Sequence, residues 1–206
     1  MIGFYNYTVV LTYIGMLSGF AGITFALNGR IHPAMICLVI SGVCDMFDGK
    51  VASTMDRNQK EKRFGVQIDS LSDLISFGVL PAVITMSHCN NSTFSYCMAS
   101  MYVLAALIRL AWFNVDEEER QDSEDGRGEY YLGLPVTLSA AFLPLTAWIS
   151  EGAGLSGMKL YPTLLAIMGA AFLSPVKIRK PSLPKLGLAI CGGAGLVLLL
   201  MSGMDM

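Results

Sequence analysis

The chain has 206 residues, 53% of them hydrophobic and only 15% charged, and a mean hydropathy of +0.54. A soluble domain carries roughly a quarter charged residues, and the apolar residues here fall in long blocks of the kind a bilayer span needs, about 17–25 residues each. A soluble globular class is therefore excluded. The net charge of −2 leaves no basic field to neutralise phosphates, which excludes nucleic acid as a partner.

Seven apolar blocks are expected, at about 8–28, 33–54, 66–87, 95–114, 134–150, 160–176 and 186–203. The first has no basic residue before it and is too long for a signal-peptide core, so it reads as a retained helix. The fold class is all-α: a polytopic transmembrane helix bundle forming one domain over residues 1–206. The cysteines Cys37, Cys44, Cys89, Cys97 and Cys191 make no CxxC pair and read as small packing residues. Cys89 and Cys97 would bridge only in a loop facing an oxidising side.

Lys and Arg set the orientation. With the loop after the second block in the cytoplasm, that side holds Arg57, Lys60, Lys62, Arg63, Arg120, Arg127, Lys177, Arg179, Lys180 and Lys185. The opposite side holds only Arg30 and Lys159. This bias places the amino terminus in the cytoplasm.

Within these blocks stand charges that a bilayer makes costly. The second block ends in SGVCDMFDGKVAST and the third begins FGVQIDSLSDLISFG. Asp45 and Asp48 share one helix face by their spacing of three, and Asp69 and Asp73 share another by their spacing of four. Both pairs flank the same loop, so antiparallel neighbours bring four carboxylates to similar depth. Their mutual repulsion calls for protons or cations. Oxygen-only donors suit Mg²⁺, Mn²⁺ or Ca²⁺, and two such ions about 4 Å apart clamp an in-line displacement at phosphorus. Gly49 and Ala52 bare the helix surface beside the carboxylates, and Gly65 opens the next helix for close approach of a phosphate. A single Asp near an interface is readily explained as a helix-end charge paired with Lys50, Arg57 or Arg63. Two facing pairs are not.

The run Asp45-Met46-Phe47-Asp48-Gly49-Lys50-Val51-Ala52, followed by Gly65, Asp69 and Asp73, resembles the signature of the CDP-alcohol phosphatidyltransferase family, D-x-x-D-G-x-x-A-R, a spacer, then G-x-x-x-D-x-x-x-D. The resemblance implies a six-helix core, here with one further carboxyl-terminal helix, and two divalent cations, Mg²⁺ or Mn²⁺. It implies that Asp45, Asp48 and Asp69 hold those ions on a CDP pyrophosphate. Asp73 would complete the metal shell and act as general base, and Gly49 and Ala52 would let the nucleotide lie on the helix. Two departures stand out. Ser53 occupies the place of the signature arginine, leaving Arg57 as a candidate for its phosphate contact. The spacer to Gly65 is eleven residues rather than about eight, which is expected to lengthen the loop by one turn.

The runs QIDSLSDLISFGVLPA, IRLAWFNV and GEYYLGLPVT are similar to the integral-membrane phosphatidylserine synthases of bacteria, over about residues 10 to 180. That likeness implies transfer from CDP-diacylglycerol to L-serine. It also implies a homodimer in the cytoplasmic membrane of a bacterium, among its lipids, with the site toward the cytoplasmic side. Arg109 and Asn114 are the acceptor- or phosphate-binding candidates. For Arg109 the alternatives are a substrate anion, snorkelling to the interface, or pairing with a metal-site aspartate; for Asn114, a ligand contact or a helix cap. Gly133-Leu134-Pro135 suits a turn lining the acceptor pocket or a plain helix start. Lys177, Arg179 and Lys180 suit lipid headgroups or simple topology. The acidic run from Asp116 to Asp125 reads as a loop beyond the fourth block with a solvated face, and His88 falls on the far side from the aspartates. Glycerol 3-phosphate or inositol phosphate is the rival acceptor, and a divalent-cation transporter is the rival from another class.

Overall fold

A computed structural model describes residues 3–89, 92–122, 130–154, 157–179 and 195. Among them run α1 (Val10–Leu27), α2 (Ile31–Ala52), α3 (Gln59–Asp73), a π-helical turn (Leu74–Val79) and α4 (Leu80–His88). α5 (Thr93–Asp122), α6 (Ser139–Gly152) and α7 (Gly157–Phe172) follow. Short strands β1 (Tyr130–Leu132) and β2 (Lys177–Arg179) pair antiparallel, clipping the entry to α6 to the exit of α7. The architecture is all-α and polytopic. Tyr7–Leu27, Gln59–His88 and Thr93–Glu119 are each long and apolar enough to cross a membrane. The expected seventh block, 186–203, lies outside the described residues except for 195.

α1 packs along α2 and against α3, the π-turn and α4. Its inward face carries Thr12, Gly15, Gly19, Gly22 and Ala26, all buried and spaced by three or four, which lets neighbouring backbones approach as closely as membrane helices require. A Cβ on Gly19 would stand 3.1 Å from the Cα of Ser76, and one on Gly22 would stand 3.0 Å from Cβ of Cys37. Hydroxyls then reach the bared carbonyls: Ser41 donates to the Gly15 carbonyl at 2.8 Å and Ser72 to that of Thr12 at 3.3 Å. In hydrocarbon such side-chain bonds contribute about 0.6–2 kcal/mol each.

α5 sorts its residues by the same period. Ala99, Tyr102, Ala106 and Arg109 are buried, whereas Met101, Leu104, Ile108 and Trp112 form an exposed apolar stripe suited to lipid. Along α3 and α4 the α-helical ladder gives way to the π-turn immediately after Asp73. Pro81 has no N–H for the carbonyl four residues back. That carbonyl, of Phe77, accepts instead from the Tyr102 hydroxyl at 2.6 Å and from Ser139 at 3.4 Å.

Two local expectations are corrected. The residues after Asn58 do not lengthen the loop. They begin α3, because Asn58 accepts from the Glu61 N–H and Glu61 accepts from the Asn58 N–H, each at 2.9 Å, forming a reciprocal cap. The acidic run as far as Asp122 continues α5 instead of leaving it. Cys89 and Cys97 are free thiols, the first buried against the Gly157 and Met158 carbonyls and the second exposed.

If α1 is packed this closely, Gly19→Ala should cost about 1–3 kcal/mol through overpacking. Gly152→Ala, where a Cβ meets nothing within 4 Å, should cost nothing. Thermal unfolding in detergent reads both, and equal melting temperatures would contradict the packing described.

Candidate metal and nucleotide site

The last two turns of α2 and the last of α3 lie beside one another at one end of the bundle. From α2 come Asp45 and Asp48, and from α3 come Asp69 and Asp73. Asp45, Asp48 and Asp69 each place an oxygen within 4.8 Å of the others. Asp73 lies outside that set of three oxygens but next to Asp45. A cavity is lined by Asp45, Asp48 and Asp73 together with Thr12, Ser41, Ser72 and Ser76.

Such a set cannot be stable as four bare anions. At an effective dielectric of about 20, two unit charges 4.8 Å apart repel by about 3–4 kcal/mol. The Thr12 hydroxyl donates a 2.9 Å hydrogen bond to Asp48 Oδ2, and the Gly49 N–H also bonds the Asp48 carboxylate. Asp69 has an oxygen, Oδ1, that is buried with no hydrogen-bond partner among the described residues. An orphaned carboxylate oxygen in a cluster made wholly of oxygen donors fits a hard divalent cation such as Mg²⁺ or Mn²⁺.

The surface beside the carboxylates is open. A Cβ on Gly49 would meet nothing within 4 Å. Ala52 ends α2, half-buried, and Ser53 is exposed with its hydroxyl turned back to the Lys50 carbonyl. Gly65 lies one turn before Asp69, and the space a Cβ would fill there is taken by Arg57, whose Nη1 stands 3.0 Å away. The Arg57 Nε is buried and has no hydrogen-bond partner among the described residues.

Asn114 is mid-helix in α5, so it is not a cap. Its carbonyl oxygen accepts from Ser70 at 2.5 Å and its amide donates to Gln67 at 3.2 Å, tying α5 to the stretch of α3 that carries Asp69. Arg109 is 8% exposed on the inward face of α5, so it does not snorkel. Its guanidinium lies 5.9 Å from the Phe113 ring centroid. Gly133, in the left-handed region at φ +76°, has no room for a side chain, since a Cβ would lie 2.6 Å from the Phe172 carbonyl and 3.2 Å from Arg109 Nε. The Gly133-Leu134-Pro135 turn thus packs on Arg109 and the end of α7. His88 closes α4, fifteen residues past Asp73 and about 22 Å away at helical rise, with its ring 4.6 Å from that of Tyr161. Sequence reasoning missed Thr12. Its signal was a hydroxyl in phase with the glycines of α1.

The comparisons with known proteins agree with this geometry. The family model described as CDP-alcohol phosphatidyltransferase matches residues 5–175. A CDP-diacylglycerol–serine O-phosphatidyltransferase of Saccharomyces cerevisiae is 37% identical over 142 residues, covering 64% of this chain and 50% of its own length. The protein of that name in Mycobacterium tuberculosis is 26% identical over 201 residues, covering 91% of this chain and 69% of its own. An archaetidylserine synthase of Methanothermobacter thermautotrophicus is 31% identical over 146 residues, covering 69% and 59%. The chain therefore spans half the length of the yeast relative. With the signature carboxylates gathered at one site and the family model matched over most of its length, the chain belongs to the CDP-alcohol phosphatidyltransferase family.

Proposed function

We propose that this chain transfers the phosphatidyl group of CDP-diacylglycerol to the hydroxyl of L-serine, yielding phosphatidylserine and CMP. The observation that carries the reading is the convergence of carboxylates from α2 and α3 beside the open helix surface at Gly49. The names of the three relatives, each containing serine, support the acceptor.

Asp45, Asp48 and Asp69 are the residues to hold two divalent cations, with Asp73 completing the shell. When bound, the cations neutralise the pyrophosphate and stabilise the departing CMP. The chain's own residues do the rest. Gly49, Ala52 and Ser53 leave a groove for the nucleotide along α2. Arg57, anchored on the bare Cα of Gly65, offers N–H donors to a phosphate where the signature arginine is replaced by Ser53. The serine hydroxyl oxygen attacks the phosphorus that carries diacylglycerol. The bond from that phosphorus to the CMP oxygen breaks, and the hydroxyl proton passes to Asp73. Arg109, buried and cationic, suits the serine carboxylate.

The lipid tails remain in the bilayer beside the exposed apolar faces, which accounts for a site at membrane depth. The Lys and Arg bias supports a site toward the cytoplasmic side of the membrane. Beyond Ser41 and Ser76 the interior is the apolar cluster of Leu38, Leu80, Ile84, Tyr102 and Leu143. The apolar character of that cluster weighs against ion transport.

Purified protein supplied with CDP-diacylglycerol and Mn²⁺ should release CMP with serine, and EDTA should abolish the release. Release only with glycerol 3-phosphate or inositol phosphate would overturn the acceptor and keep the mechanism. Asp73→Asn should lower kcat by about 10²–10⁴-fold, as loss of a general base does, in a protein that still folds; full activity would refute the base. Gly49→Leu should instead weaken CDP-diacylglycerol binding, and unchanged affinity would refute the nucleotide groove.

A further inference from the structure

Thr12 belongs to α1, which contributes no carboxylate, yet it touches the site directly. Its side chain is 7% exposed and its hydroxyl donates to Asp48 Oδ2 at 2.9 Å; Asp48 is 8% exposed. The Thr12 carbonyl accepts from Ser72, the neighbour of Asp73, at 3.3 Å. One turn on, the Gly15 carbonyl accepts from Ser41 and Ser76. The backbone at Thr12 is thereby fixed against both carboxylate-bearing helices. Threonine is also stiff about χ1, so the hydroxyl is held in place by its own backbone.

We propose that Thr12 is a positioning residue whose hydroxyl locks the Asp48 carboxylate in the orientation that cation binding requires. The inference rests on the metal reading above. A carboxylate on a helix rotates freely about its last bond unless something holds it. A free rotor must be immobilised when a cation binds, whereas one already bonded through Oδ2 need not be. Valine has nearly the same shape as threonine, so packing alone does not explain a hydroxyl at this position in an apolar helix. The bond from Ser72 goes to the Thr12 main chain and survives any change of the side chain, so the Asp48 contact can be removed by itself.

The test is Mn²⁺ affinity of the purified protein without substrate, read by electron paramagnetic resonance. Thr12→Val should bind Mn²⁺ about 10–100-fold more weakly, the usual effect of losing an outer-shell partner of a metal ligand. Thr12→Ser, which keeps the hydroxyl, should bind within a few-fold of wild type. In turnover, Thr12→Val should raise the Mn²⁺ concentration for half-maximal CMP release and recover kcat at saturation. Wild-type affinity in Thr12→Val would overturn the proposal. So would a Thr12→Ser variant as weak as Thr12→Val, since that would assign the effect to the methyl group. If Thr12→Val does not fold, Thr12→Ala against Thr12→Ser poses the same comparison, and the same two results would overturn the proposal. Absence of Mn²⁺ binding by the wild-type chain would sink the metal reading itself and this inference with it. Wild-type binding that the Thr12 variants leave unchanged would sink this inference alone.

Discussion

Like charges in a medium of low dielectric must be held together by something else, and the architecture of this bundle follows from that requirement. Asp45 and Asp48 on α2 meet Asp69 and Asp73 on α3 at one end of the molecule. Left alone, the two helices would be driven apart there. They are held by α1, whose glycines let it sit against both and whose carbonyls take up the hydroxyls of Ser41, Ser72 and Ser76. α5 adds a polar rung through Asn114, Ser70 and Gln67. The scaffold supplies the geometry, and in the proposed reading a cation would supply the missing charge. Neither suffices alone, because a cage of acids without cations repels itself and cations without a fixed cage find no preferred site.

That division explains what the sequence disclosed. The four aspartates were legible because ionised groups in apolar blocks are conspicuous, and spacings of three and four assign each pair to one helix face. Gly49 was legible because a residue without a side chain beside such a cluster has a plain geometric use. Thr12 was not, since a threonine in an apolar span is ordinary and only its alignment with Gly15, Gly19 and Gly22 set it apart. The π-turn after Asp73 was equally hidden. The Phe77 carbonyl within it is taken up by Tyr102 and Ser139, partners distant in sequence. The start of α3 was misjudged although its signal was present: Asn58 followed three residues later by Glu61 is a reciprocal cap, and the run of charges after it concealed the helix.

The functional reading is layered in the same way. Membership of the family rests on motif and matched length, and the chemistry rests on the carboxylates and the groove at Gly49. The proposed acceptor pocket draws on a different part of the molecule, where Arg109, the Gly133 turn and the end of α7 converge. A buried guanidinium beside a turn that admits no side chain is a confined place. It suits a small acid such as serine better than a phosphorylated sugar, which would call for several cations.

The central claim is that the four aspartates constitute a site for two divalent cations, and a Mn²⁺ titration of the purified protein followed by electron paramagnetic resonance tests it most directly. Two ions per chain are expected, with a spin-coupled spectrum replacing the six lines of free Mn²⁺ and lost on Asp69→Asn. Six free-ion lines from the first addition onward would contradict the account.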